Sequence, residues 1–270
     1  MARGKSKTVS MIENLESRRM LAAQTAIVVG TILTIEGTLD VDGIDVTQTV
    51  DSATGLAVVS VPLNSGKTFT TPVSGLTRIV INGLDGNDRI DCSPIAEGSP
   101  VTVPCSIIGG LGNDNIRGGT GNDTIRGNEG NDTISGLDGA DKMTGDDGDD
   151  LISGNAQNDG IDGGLGNDRL NGNGGRDKIA GGSGDDRIFG GASGDFLAGQ
   201  GGLDSINGEG GNDRISGGVG PGDTLHGNAG DDILIANDGE VDQVFGDGGI
   251  HDQGIFDDID VVLSVETRLE

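Results

Sequence analysis

The sequence predicts an all-β solenoid. Three observations carry that expectation: a nine-residue period held for twelve consecutive units, glycine at 53 of 270 positions, and a scarcity of large aromatic side chains, with no Trp, no Tyr and five Phe. An ordinary globule of this length needs bulky side chains to offset chain entropy. A stack of short identical coils does not, because each coil is buried mainly by its neighbours. Glycine enrichment together with a net charge of -27 is by itself a signature of disorder. The strict repeat overturns that reading.

The repeat runs without a gap from Gly109 to Ser216, opening with GGLGNDNIR, GGTGNDTIR and GNEGNDTIS and closing with GEGGNDRIS. An outlying unit, GLDGNDRID, occupies 83–91, and beyond Ser216 the phase slips at GGVGPGDTLH and again at ANDGEVDQVF. In all twelve units the first position is Gly and the sixth is Asp; the eighth is Ile, Leu or Met, and the fourth is Gly except at Gln157 and Ser193. Positions seven to nine read as a short strand. Side chains alternate between faces along a strand, so the eighth residue points inward. The seventh and ninth, among them Arg117, Arg126, Lys142, Arg169, Lys178, Arg187 and Arg214, face solvent. Positions one to six then form the turn, where glycine supplies backbone angles closed to other residues.

These units resemble the RTX (haemolysin-type) nonapeptide GGxGxDxUx, over residues 83–245. The resemblance implies a right-handed parallel β-roll with two nonapeptides per coil, irregular β caps, and several calcium ions held in the turns between coils. It assigns the sixth-position aspartates as ligands that bridge successive coils: Asp114, Asp123, Asp132, Asp141, Asp150, Asp159, Asp168, Asp177, Asp186, Asp195, Asp204 and Asp213. Asp88, Asp223 and Asp232 match the motif within less regular surroundings and are carried as further ligands.

The charge pattern points the same way. At eighteen residues per coil, Asp114, Asp132, Asp150, Asp168, Asp186 and Asp204 stack along one edge, and Asp123, Asp141, Asp159, Asp177, Asp195 and Asp213 along the other. Neighbouring strands lie ~4.8 Å apart, and two carboxylates at that spacing repel by roughly 1 kcal/mol even in water. A cation has to fill the gaps, of which the unbroken block offers about ten. Calcium suits them: it takes six to eight oxygens in adaptable geometry, from carboxylates and backbone carbonyls, whereas magnesium demands a stricter octahedron. Transition metals want His or Cys, which these turns lack. Gln157 and Ser193, in place of a turn glycine, mark expected weak points.

Outside the repeats the signals are thinner. The basic segment 1–23 contains Ile12-Glu-Asn-Leu-Glu-Ser-Arg-Arg-Met-Leu21, which resembles the LEPR-XLL sorting segment of large bacterial surface and secreted proteins; Ser17 stands where the Pro is expected. The alternative is a disordered tail. Residues 24–82, with runs such as Thr31-Ile-Leu-Thr-Ile35 and Thr77-Arg-Ile-Val-Ile81, read as an irregular β cap on the first coil or as a separate small sandwich. Residues 246–270 read as the opposite cap or an export segment. Cys92 and Cys105 flank an insertion between two units; a disulfide suited to an oxidising compartment and a pair of buried free thiols are the two readings.

Function follows from the balance of charge and from missing motifs. Phosphate would be repelled along most of the chain, so nucleic acid is not the expected partner, and no apolar run approaches the ~20 residues of a membrane span. H-E-x-x-H and G-x-S-x-G do not occur, and His226 and His251 are the only histidines. The expectation is a non-enzymatic, secreted or surface-associated protein that folds on binding calcium and serves a structural or adhesive role, with a cell-surface or matrix component as possible partner. The alternative is the non-catalytic repeat region of an RTX-type secreted hydrolase or toxin.

Overall fold

The computed structural model describes residues 25–38, 40–50, 57–62, 68–72, 74–93, 103–220 and 222–269; the segment resembling a sorting signal lies outside them. Two long sheets face each other, one of thirteen strands and one of eleven, and consecutive strands of the repeat block alternate between them. Within each sheet the pairing of these strands is parallel, with partners eighteen residues apart: Ile116 lies beside Ile134 and Ile134 beside Ile152, while Ile125 lies beside Met143 and Met143 beside Ile161. One coil is therefore two nonapeptides. Where the phase slips, the spacing widens to nineteen residues, as from Ile206 to Leu225 and Ile215 to Leu234. The extra residue sits in the turn, and the inward column of aliphatic side chains continues.

The strands are longer than the sequence suggests. Thr133–Asp138 and Lys142–Asp147 are typical; each begins at position seven and runs through position three of the next unit. The turn thus shrinks to positions four to six. This corrects the reading of position one as a turn residue. Its glycines, such as Gly109, Gly127 and Gly163, do not have positive φ. The left-handed residues are at position four, where Gly148 has φ 137°, and at position two, where Asn128, Leu137 and Gln200 have φ of 79°.

Alternation accounts for the burial. Positions six, eight and one share the inner face, so Asp, the aliphatic residue and Gly all point into the roll. The eighth-position side chains from Ile116 to Ile215 are at most 3 % exposed and form one continuous cluster that also takes in Leu33, Ile35, Ile44, Ile79 and Ile81. Burying one such side chain contributes ~2 kcal/mol, and the repeat region has only one per strand.

Both sheets extend past the repeats. Ile32–Glu36 pairs with Arg78–Asp85 in the thirteen-stranded sheet, and Gly43–Asp45 pairs with Arg89–Asp91 in the other. Thr25–Val29 folds back antiparallel as a hairpin on Ile32–Glu36. A separate three-stranded antiparallel sheet is formed by Thr47–Val50, Ala57–Pro62 and Thr68–Pro72. At the other end Val261–Leu263 and Thr267–Arg268 complete the two sheets. Among the described residues no helix is long and apolar enough to cross a membrane.

Candidate metal centre

The inward turn of position six buries every aspartate singled out from the sequence. Asp88, Asp114 and the other thirteen, through Asp223 and Asp232, are at most 3 % exposed. Such a carboxylate needs hydrogen bonds or a counter-ion, and the structure supplies the first for one oxygen only. Asp132 Oδ1 accepts the backbone N–H of Asp114 at 2.7 Å, Asp150 Oδ1 that of Asp132 at 2.7 Å, and Asp168 Oδ1 that of Asp150 at 2.8 Å. The second column repeats this from Asp141, which accepts from Asp123, to Asp232, which accepts from Asp213. Each bond ties a coil to the one before it.

A second ladder runs the opposite way at position five. Asn113 Oδ1 accepts the N–H of Asn131 at 3.0 Å, Asn131 Oδ1 that of Asp149 at 3.1 Å, and Asp149 Oδ1 that of Asn167 at 2.8 Å, each coil accepting from the next. The Asn-Asp pair of the repeat therefore zips the turns in both directions, which explains the frequent amide or carboxylate at position five.

The other carboxylate oxygen is stranded. In Asp88, Asp114, Asp132, Asp141, Asp150, Asp159, Asp168, Asp177, Asp186, Asp195, Asp204, Asp213, Asp223 and Asp232, Oδ2 is buried without a hydrogen-bond partner. It lies against the Cα of the position-one glycine of its own unit, beside the carbonyl oxygen of the corresponding glycine one coil later: Asp168 Oδ2 and the Gly181 carbonyl both crowd the place a Cβ on Gly163 would take. That is why position one is invariant: its role is close approach. Asp123 is the exception, because its Oδ2 accepts the N–H of Gly119 at 2.6 Å.

Burial drives the titration of these groups. It pushes Asp114, Asp141, Asp150, Asp159, Asp186, Asp213 and Asp223 up to about 7, the backbone N–H of the adjacent coil pulling down and neighbouring carboxylates adding to the rise. Asp88, Asp123, Asp132, Asp168, Asp195 and Asp232 are raised by burial to about 6. Asp177 and Asp204 are raised for the same reason.

This arrangement fits a hard, oxygen-seeking cation. Every turn of the two columns in the unbroken block except that of Asp123 presents a stranded carboxylate oxygen close to a glycine carbonyl of the next coil. Among the described residues no three His, Cys, Asp or Glu side chains converge on one point, so carbonyls must supply the remaining ligands, a donor set suited to calcium and poor for transition metals. The histidines stand apart. His226 lies on an outer face, stacked on Phe245 with ring centroids 4.5 Å apart and bonded through Nδ1 to Asp247 at 2.8 Å.

The columns are longer than the sequence showed. Asp42 extends one of them by donating its N–H to Asp88 Oδ1 at 2.7 Å, and Asp242 extends it beyond Asp223. Asp252 extends the other beyond Asp232, and Glu266 Oε2 closes it by accepting the N–H of Asp252. Asp42 and Asp242 each stand two residues before a buried aliphatic, Ile44 and Val244; an Asp-x-aliphatic search free of the glycine frame finds both. Asp252 is followed at that distance by Gly254 and has no such signal.

Comparison with curated proteins returns no match. The RTX calcium-binding nonapeptide repeat (4 copies) matches at 108–143, 135–170, 162–197, 189–221 and 222–250, a continuous span of more than half the chain. With its parallel two-sheet roll and its glycine-faced aspartate columns, the chain belongs to the RTX calcium-binding nonapeptide repeat family.

Proposed function

We propose that this calcium-binding repeat protein is a structural module that assembles outside the cell, using calcium to complete its fold. The repeat region itself is a structural roll and not a catalytic one. The observation that carries the reading is the run of buried Oδ2 atoms with no partner. An interior with one aliphatic side chain per strand offers little to offset two columns of desolvated charge. Calcium bound by the sixth-position aspartates whose Oδ2 has no partner, from Asp88 to Asp232 with Asp123 excepted, and by neighbouring glycine carbonyls, neutralises that charge and joins adjacent coils. Its binding free energy then becomes folding free energy.

A chain of net charge -27 repels itself where calcium is scarce and condenses where it is abundant, which suits a protein that crosses a membrane unfolded and works in a calcium-rich exterior. The long parallel roll of the repeat region supports a structural or adhesive role toward a surface or matrix component. The test is a calcium titration of the full chain followed by far-UV circular dichroism, with magnesium as control. A cooperative rise in strand signal at ~10⁻⁴–10⁻³ M calcium, and none with magnesium, is expected. A strand-rich spectrum in chelator that calcium leaves unchanged would overturn the reading.

A further inference from the structure

The two ends of the roll are not built alike. In the repeat block each turn sets a position-one glycine against a position-six aspartate, and the same register can be followed into the N-terminal coils. Ser106 pairs with Thr124 and Ile107 with Ile125, so Cys105 occupies the position of Asp123 one coil earlier. Asp91 pairs with Arg117, so Cys92 occupies the position of Gly118. The Cys92–Cys105 disulfide therefore spans the place where, one coil later, the carboxylate of Asp123 meets the Cα of Gly118. A covalent bond stands where the other turns hold a charge.

One coil earlier the substitution is apolar. Ile79 pairs with Cys105 and Leu33 with Ile79, so Leu33 and Ile79 hold the aspartate position. Val46, which donates its N–H to the Asp91 carbonyl, holds the glycine position. Leu33, Val46 and Ile79 are at most 5 % exposed. The strands Ile32–Glu36 and Arg78–Asp85 accordingly bury two large apolar side chains each, Leu33 with Ile35 and Ile79 with Ile81, where repeat strands bury one.

In Asp42 and Asp123 a backbone N–H already holds the Oδ2 that is left stranded in the repeat block. Asp123 accepts the N–H of Cys105 through Oδ1 and that of Gly119 through Oδ2. Asp42 Oδ2 accepts the N–H of Thr38. On the outer face, Asp91 is bonded by Arg89 and Ser93 and lies 3.6 Å from Arg117. Partnerless Oδ2 atoms begin only at Asp88 in one column and at Asp141 in the other.

We infer that the N-terminal coils, from Ile32 to about Ile108, form a seed held by its own apolar core and the Cys92–Cys105 disulfide, with Asp88 at its edge as the first cation position, on which the calcium-dependent coils assemble toward the C-terminus. The physical reason is nucleation. The first coil of a solenoid has no neighbour to pair with, so it gains least from each ordered residue; a denser core and a cross-link placed there supply a template. Later coils then add onto an existing sheet edge, each gaining two backbone ladders and cation bridges at once.

The inference rests on the calcium-assembly reading, and one experiment separates the two. Hydrogen exchange is followed by mass spectrometry on the full, oxidised chain, in chelator and in calcium. In chelator, amides in Ile32–Glu36, Ile79–Asn82 and Cys105–Ile108 are expected to exchange at least about tenfold more slowly than those in 124–216, and calcium to protect the latter. If 124–216 gain nothing from calcium, the assembly reading falls. If they do gain protection but the N-terminal strands are as open as the rest in chelator, the seed is wrong. The variant C92S/C105S is the second arm: its calcium midpoint is expected to rise by about threefold or more, and an unchanged midpoint with unchanged protection would remove the clamp.

Discussion

Asp123 donates its backbone N–H to Asp141 Oδ1 at 2.8 Å, while Asp141 Oδ2 is buried with no partner. The two oxygens of one carboxylate thus have separate duties, one structural and one toward a cation. Substitution can separate them. Asp141→Asn keeps an acceptor for Asp123 and removes the charge; Asp141→Ala removes both. We expect D141N to bind fewer calcium ions by titration calorimetry and, in saturating calcium, to lose only the stabilisation those ions supplied. D141A should in addition lose about 1–3 kcal/mol, because the Asp123 N–H is left buried and unbonded. Equal stability of the two variants would contradict this division.

Position-one glycines are required by space, and the strand glycine at 160 is not. A Cβ on Gly163 would overlap Asp168 Oδ2 and the Gly181 carbonyl, whereas one on Gly160 meets only the Asp141 carbonyl oxygen at 3.8 Å. Gly163→Ala should therefore destabilise the calcium-loaded roll by about 2–3 kcal/mol. Gly160→Ala should be neutral or stabilising by about 0.5–1 kcal/mol, since glycine is costly inside a strand. Thermal melts in saturating calcium check both, and similar losses at the two sites would refute the distinction.

Much of this was legible because the chemistry is periodic. Glycine at position one, Asp114 and its equivalents at six, and Ile116 and its equivalents at eight give the period, the coil and the two columns. Strand alternation alone puts positions six, eight and one on one face, so burial of the aspartates follows from the same rule that buries Ile116. The strand length did not follow, because glycine at position one reads as a turn residue unless the stranded Asp oxygen beside it is known. The column ends were hidden for a different reason. Leu33, Ile79 and Cys105 hold aspartate positions in other chemistry, and Asp252 precedes Gly254, so the three-position signature vanishes while the register continues.

Gln157 and Ser193 hold φ of 75° and 84° at position four, where most other units carry glycine in the same left-handed region. A side chain there costs ~1–2 kcal/mol, offset in part by the extra freedom glycine gives the unfolded chain. Gln157→Gly and Ser193→Gly should each stabilise the calcium-loaded protein by about 0.5–1 kcal/mol, seen as a higher melting temperature. A drop in melting temperature for both would show that these turns gain something from their side chains.

Protons and calcium should act as substitutes in one direction and as competitors in the other. Asp114, Asp141, Asp150, Asp186 and Asp213 have folded values of about 7 against an ordinary 3.8, raised chiefly by burial. Without metal, the folded roll then binds more protons than the unfolded chain between about pH 4 and pH 7, so its stability rises on acidification and is lost as pH climbs through the folded values. In chelator, strand signal is expected to grow as pH is lowered from about 7 to 5. With calcium present the sign reverses. Protons occupy the carboxylates that calcium needs, so the midpoint calcium concentration should increase as pH falls across the same interval. Circular dichroism in chelator and a calcium titration at pH 8, 7 and 6 test the two halves separately. A chelated chain that stays unfolded at pH 5, with a calcium midpoint indifferent to pH, would mean that the aspartate columns are not the groups that resist folding.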